Sequence, residues 1–170
     1  MMPNFTFGNA MTTFVGQNIG AKKMDRVEKG MKDGTKIAVG VSTAITITIL
    51  VFGKYLMGLF TDTAELIELS MRMMRILSVG YIAMAVTQSL SGVMRGAGDT
   101  VTPMWISLIT TIALRVPVAY GIAYFTRSEA YPAGRPEALF ISLLLAWICG
   151  AIITTFFFKK GKWKSKGFLD

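Results

Sequence analysis

The sequence contains no histidine and only one cysteine, and both absences narrow its chemistry. Without imidazole, the chain cannot assemble a Ser-His-Asp triad, a Cys-His pair or a His-containing zinc site. Cys149 lies alone in an apolar run, so an intrachain disulfide is impossible and we expect a buried, inert thiol. No catalytic, cofactor-binding or metal-binding residues are predicted, and an enzymatic function is not expected.

Charge is scarce and unevenly placed: of the 170 residues, 52% are hydrophobic and only 16% are charged. Three stretches, 37–53, 76–94 and 140–158, contain no Asp, Glu, Lys or Arg, and a fourth, 101–126, is broken only by Arg115. A soluble domain spreads charges over every surface helix. Uncharged runs of roughly 17 to 20 residues instead match a helix that crosses about 30 Å of hydrocarbon.

These runs predict an all-α fold, a polytopic membrane helix bundle of about four complete transmembrane helices plus a partial N-terminal one. The alternating pattern at 43–49 would favour a strand, but an open sheet edge cannot face lipid. No secretory leader is expected, because 1–20 is too polar and has no basic start. The predicted segments are a partial helix 3–20, a connector 21–36, membrane helices 37–58, 64–95, 101–126 and 137–158, and a basic tail 159–170.

The connector 21–36 is dense in charge, unlike the runs around it. Asp25 and Lys29, and likewise Glu28 and Lys32, are four residues apart, which favours exposed ion pairs on a short surface helix. The connector is therefore predicted to be solvated.

The distribution of Lys and Arg predicts the orientation. Six lie in the connector, five in the tail and one in the loop 95–100, against Arg127 and Arg135 in the loop 127–137 on the other side. Basic residues concentrate on the cytoplasmic side of membrane proteins. We expect a multi-pass plasma-membrane protein with a cytoplasmic connector and tail. The net charge of +8 fits this topology, so no nucleic acid partner is predicted.

Two groups of polar residues are candidates for a substrate path. Along the first helix, Thr12, Gln17 and Asn18 either line such a path or form hydrogen bonds between closely packed helices. Farther along the chain, Tyr81, Gln88 and Ser91 have the same two interpretations. Small and polar residues serve both purposes in membranes, so both remain open.

Arg115 is the most informative single residue, because an arginine within a span is costly unless it is paired or hydrated. Pro117 frees a backbone carbonyl nearby and can bend the helix. Arg115 either sets the charge of a cavity and braces a moving helix, or bonds to loop carbonyls at one end of the span.

The loop 95–100 contains two glycines before a helix start, as a phosphate-binding loop does. It lacks the length of a P-loop and its Lys-Ser or Lys-Thr ending, so a tight turn is preferred. In that turn Asp99 or Thr100 caps the next helix, and Arg95 can pair with Asp99.

Three motifs resemble the multidrug and toxic compound extrusion family. They are Thr-Phe-Val-Gly-Gln-Asn-Ile-Gly-Ala at 13–21, Leu-Phe-Thr at 59–61 and Gly-Val-Met-Arg-Gly-Ala-Gly-Asp-Thr at 92–100 with Pro103. Their order and spacing resemble one six-helix lobe of that family. Gly-Arg-Pro at 134–136 and the Lys-Trp-Lys tail make the second lobe the better match.

The resemblance implies cation-coupled antiport of small amphipathic or cationic drugs by two lobes that face a central cavity. This chain would supply the end of helix eight and helices nine to twelve, so its partners would be the bilayer and a missing N-terminal lobe of helices 1–7. No cofactor is implied beyond a coupling ion, H⁺ or Na⁺. Some relatives place an acid in helix ten for Na⁺, but 80–94 contains Gln88 and no Asp or Glu, so no Na⁺ site is expected here.

Because Met1 and Met2 fall inside a predicted helix, the sequence suggests a truncated product that does not transport alone. Two other functions stay open. One is a fragment of a lipid-linked oligosaccharide flippase, which would need a basic cavity. The other is a structural membrane fragment without transport.

Overall fold

The computed structural model describes residues 2–129, 131–132, 134–161 and 163–164, and these form a helix bundle without β-strands. Its helices are α1 (Met2–Gly20), α2 (Met24–Gly58), α3 (Ala64–Gly96), α4 (Val101–Leu108), α5 (Arg115–Phe125) and α6 (Glu137–Lys159), with a π-helical segment (Ile109–Leu114) joining α4 to α5. Four helical units are long and apolar enough to cross a membrane: α2, α3, the α4–π–α5 unit and α6. The predicted all-α membrane bundle is confirmed. The tail residues 165–170 and Lys162 lie outside the described residues.

The charged connector and the first span are one continuous helix, α2, of 35 residues. The sequence predicted a separate surface helix there, but no proline interrupts the chain between them. The expected pairs Asp25–Lys29 and Glu28–Lys32 do not form among the described residues. Instead, Lys164 of the tail donates a hydrogen bond to the Glu28 carboxylate at 3.0 Å.

The third span is not a regular α-helix. Its π-helical segment, Ile109–Leu114, ends directly before Arg115 and just before Pro117. Proline has no N–H to donate, and its ring clashes with the carbonyl four residues earlier. A wider π turn next to Pro117 accommodates both effects within a continuous helix.

The helix α3 lies at the centre of the bundle and contacts α1, α2 and α6. Its Gly92-x-x-x-Gly96 stretch allows α1 to approach closely. A Cβ on Gly92 would collide with the backbone of Gly8, and one on Gly96 would lie 2.6 Å from the Thr12 carbonyl oxygen. Small residues at this spacing are typical of tightly packed membrane helices.

One end of the bundle has an apolar cluster that includes the tail, which we call the Trp163 cluster. Its buried members are Met11, Val15, Val27, Val93, Met94, Ala97 and Trp163. The Trp163 ring stacks on Phe158 with centroids 5.0 Å apart, and its Nε1–H donates to the Phe158 carbonyl at 3.0 Å. The cluster therefore joins α1, α2, α3 and the tail.

The turn between α3 and α4 lies at the same end. Gly98 has φ +86°, and the Asp99 N–H donates to the Met94 carbonyl at 2.8 Å, which closes α3. Buried Asp99 accepts a hydrogen bond from the Thr102 N–H at 3.3 Å and so caps α4. The expected pairing of Arg95 with Asp99 is not formed among the described residues.

At the opposite end, Arg72 joins α3 to α6. Its guanidinium bonds Glu68 at 2.6 Å within α3 and Glu137 at 3.2 Å at the start of α6. Arg72 and Glu68 are mostly exposed, so the pairs contribute little to stability in water. Only the Arg72–Glu137 pair joins α3 to α6.

Candidate substrate cavity

A cavity of about 440 Å³ lies between α3, the α4–π unit and α6, with Phe5 of α1 at its edge. Its α3 side comprises Met84, Thr87, Gln88, Ser91 and Arg95. Facing these are Thr100, Pro103, Met104, Ile106, Ser107, Leu108, Thr110 and Thr111, together with Ala146, Trp147 and Gly150 of α6. The volume is suited to a small molecule.

Three polar residues of α3 share the face that lines this cavity. Gln88, Ser91 and Arg95 are spaced by three and four residues, so they lie above one another along the helix. The Gln88 Oε1 and Arg95 Nη2 atoms lie 3.4 and 3.2 Å from the position of a Cβ on Gly8. Because Gly8 has no side chain, these two groups can lie against α1.

Each of these three side chains has a hydrogen-bonding group without a partner among the described residues. The Arg95 Nε atom is buried and has no hydrogen-bond partner in the described part of the chain. Neither the Gln88 amide nor the Ser91 hydroxyl makes a side-chain hydrogen bond to any described residue. Unpaired polar groups in a low-dielectric site need a ligand, water or another partner to offset their desolvation.

The described residues that line the cavity carry charge of one sign only. Among the described residues that line it, Arg95 is the one charged side chain, and none is Asp or Glu. Across the described residues, no group of three or more Cys, Asp or Glu side chains is placed to hold a metal ion. The other lining residues are mainly apolar, small or hydroxyl-bearing.

Tyr81 lies outside the cavity and serves helix packing. Its backbone carbonyl accepts hydrogen bonds from Asn4 Nδ2 of α1 at 3.2 Å and from the Ser42 hydroxyl of α2 at 3.0 Å. Its ring lies 5.6 Å from that of Trp147. Tyr81 thus joins four helices, and of the three α3 candidates only Gln88 and Ser91 line the cavity.

The α1 candidates do not line the cavity either. The Thr12 hydroxyl donates to the Gly8 carbonyl at 2.9 Å, and Asn18 Nδ2 donates to the Phe14 carbonyl at 2.8 Å. Both bonds lie within α1. Gln17 is exposed on a different face, which it shares with exposed Asn9 and Thr13.

Arg115 is half-buried at the junction of the π segment and α5. It is not among the cavity-lining residues, and within the described residues its side chain makes no ion pair or hydrogen bond. The structure therefore does not bring Arg115 together with Gln88 and Ser91.

Arg95 was not predicted as a cavity residue. Its spacing from Gln88 and Ser91 was the available signal, but it was interpreted only as part of the turn. The hydrogen bond between the Thr35 and Ser89 hydroxyls, 2.8 Å apart between α2 and α3, was also not predicted. Only the fold shows which hydroxyls face each other.

Comparison with known proteins gives one family and several relatives. The family model described as MatE matches residues 1–121. The chain is 29% identical over 148 residues to the probable multidrug resistance protein YoeA of Bacillus subtilis, covering 86% of this chain and 32% of that protein. It is 26% identical over 168 residues to the probable multidrug resistance protein NorM of Thermotoga maritima, covering 99% and 35%.

A third relative is the multidrug resistance protein MdtK of Edwardsiella ictaluri, 24% identical over 148 residues, or 87% of this chain and 32% of that protein. The chain thus spans about a third of the length of these curated relatives.

Proposed function

Because this chain belongs to the MatE family, we propose that it forms part of a lobe of a multidrug efflux transporter in the plasma membrane. The match of the family model to residues 1–121 carries this proposal. Three relatives named as multidrug resistance proteins, and four helical units able to cross a membrane, support it. The proposed activity is export of small amphipathic compounds, driven by the entry of a cation.

The exposed face of α1 supports an arrangement with a second lobe. Asn9, Thr13 and Gln17 lie on this face, although α1 is in the bundle. Polar side chains in a membrane protein rarely face lipid, and they turn toward protein or a hydrated cavity. We propose that this face borders the path between the two lobes, with Gln17 lining it.

Coupling in this proposal does not depend on the cavity described above. A cation would be repelled by Arg95, and the described residues of the lining include no carboxylate to bind it. We propose that the coupling ion binds in the lobe that this chain does not supply. The connector and tail face the cytoplasm, as the basic residues predict.

The chain is expected not to transport by itself, because four spans and α1 cannot enclose an alternating-access path between two lobes. The test is reconstitution of the purified 170-residue chain into liposomes under an imposed proton or sodium gradient. Movement of a cationic dye such as ethidium is then followed. We expect the dye to move no faster than it does in empty liposomes.

A complete relative, NorM of Thermotoga maritima, serves as the positive control in the same lipid. A second arm adds the separately purified first lobe of that relative. Gradient-driven dye movement by the chain alone would contradict the need for a second lobe. Its appearance only in the mixture would support a lobe function.

A further inference from the structure

The α3 face of the cavity presents a cation together with neutral hydrogen-bonding groups. Arg95 retains an unpartnered, buried Nε, and the Gln88 and Ser91 side chains next to it on the helix are unpaired among the described residues. A guanidinium binds carboxylate or phosphate-type oxygens through parallel hydrogen bonds. Amide and hydroxyl donors nearby would bind a remaining oxygen.

The rest of the cavity is suited to an apolar body. Met84, Met104 and Trp147 line it, and Met side chains adapt to varied apolar shapes. A volume of about 440 Å³ holds a molecule of several rings attached to its charged group. Charge at one edge and apolar surface elsewhere match an amphipathic molecule.

From this geometry we propose that the cavity binds the anionic group of an amphipathic molecule, with Arg95 as its counter-charge and Gln88 and Ser91 as hydrogen-bond partners. This inference rests on the proposed efflux function and narrows its substrate class, because cationic drugs would be disfavoured at this site. The anionic group belongs either to a small transported molecule or to an anionic lipid.

Two probes with the same apolar body test the sign of the charge. Pyrenebutanoate and pyrenebutyl-trimethylammonium are titrated into the purified chain in phosphatidylcholine nanodiscs. Energy transfer from tryptophan to pyrene reports binding, since Trp147 lines the cavity. The carboxylate probe is expected to bind tighter than the ammonium probe.

Charge variants assign the selectivity to Arg95. Arg95→Gln is expected to weaken binding of the carboxylate probe by roughly tenfold to a hundredfold, the usual effect of losing a hydrogen bond to a charged group. Arg95→Gln is not expected to weaken binding of the ammonium probe. Arg95→Lys keeps the charge and is expected to retain most of the binding. The matched control is Arg75→Gln, which removes an exposed charge from the same helix.

A second variant locates the probe independently of charge. Gly150 lines the cavity, and a Cβ there would meet nothing closer than 3.9 Å. Gly150→Leu should therefore occupy part of the cavity and abolish saturable binding of both probes. Gly40→Leu is its control, because Gly40 is exposed and has no atom within 4 Å of an added Cβ.

Phosphatidylglycerol in the nanodiscs distinguishes the two sources of the anion. Displacement of the carboxylate probe identifies a lipid headgroup as the occupant, and no displacement identifies a small molecule. Equal affinity of wild type and Arg95→Gln for the carboxylate probe, or equal binding of both probes to wild type, overturns the proposal. These measurements require no transport. A lack of dye movement in the mixture of this chain with the first lobe would therefore count against the proposed function and leave this binding result intact.

Discussion

Replacement of Trp163 tests whether the tail is part of the folded core. Trp163 is 1% exposed and lies among side chains of α1, α2 and α3. The cluster is at the end of the bundle that bears the charged part of α2, where water opposes exposure of apolar surface. Trp163→Ala is therefore expected to destabilise the chain as a core truncation does.

The expected loss of unfolding free energy follows from the contacts of the Trp163 ring. Truncation of a buried Trp to Ala usually costs about 3 to 5 kcal/mol. The lost Nε1–H bond adds little, because the Phe158 carbonyl also accepts the Gly161 N–H at 3.1 Å and keeps that donor. We expect about 3 kcal/mol, since the tail can partly rearrange, or roughly a hundredfold in the folding equilibrium.

The assay is unfolding of the purified chain by dodecyl sulfate in mixed micelles, followed by far-ultraviolet circular dichroism. Trp105→Ala is the matched control. Trp105 is 56% exposed on α4, so detergent tails can fill the space that its ring leaves. Its expected cost is under about 1 kcal/mol, in the range of surface substitutions. Trp163→Phe keeps an aromatic ring and should lie between the two. Identical unfolding midpoints for wild type and Trp163→Ala would refute a structural role of the tail.

Two further predictions concern helix packing and the arginine of the third span. Gly92→Ala should destabilise the chain by about 1 to 3 kcal/mol in the same assay, because the new Cβ displaces the α1 backbone, while Gly40→Ala at an open position should be neutral or slightly stabilising. Arg115→Ala in a complete transporter should reduce efflux while expression persists, because an intramembrane arginine without a partner among the described residues indicates a functional contact. Unchanged drug resistance with that variant would remove Arg115 from the mechanism.

The membrane character of the chain was predictable because lipid imposes a strict local rule. A span must avoid charge over its whole length, and this rule can be applied to each stretch of sequence alone. The uncharged runs 37–53, 76–94 and 140–158 each lie within a helix that the structure describes. Lone Arg115 did not prevent recognition of the third span.

Long-range partners were not predictable in the same way. A pair four residues apart, such as Glu28 and Lys32, contributes only about 0.2 to 0.5 kcal/mol, so a competing partner easily replaces it. Lys164 is such a competitor, yet it is 136 residues away in the chain. The tail was likewise predicted as a basic segment, whereas Trp163 lies in the core. Neither result follows from local spacing.

A shared face of α3 could be predicted because helix periodicity is local, whereas the neighbouring helices could not. Gln88 and Ser91 were grouped with Tyr81 as candidates for a substrate path or for helix packing. The structure places Gln88, Ser91 and Arg95 along the cavity and Tyr81 at helix contacts. Which face of α3 borders open space depends on the positions of α4 and α6.

Polar side chains in this bundle fall into two groups, those that are hydrogen-bonded between helices and those that are not. Asn4 and Ser42 donate to the Tyr81 carbonyl, and the Thr35 and Ser89 hydroxyls bond to each other, so these polar groups are satisfied between helices of the bundle. Gln88, Ser91 and Gln17 are not paired among the described residues, and they line the cavity or the exposed face of α1. An unpaired polar group in a membrane needs water, a ligand or a partner protein to offset its desolvation. Thr46 and Thr154 also have unpaired hydroxyls among the described residues, but they line neither surface. The unpaired groups that border the cavity or the exposed face of α1 are therefore those at which a solute or the proposed second lobe is expected to bind.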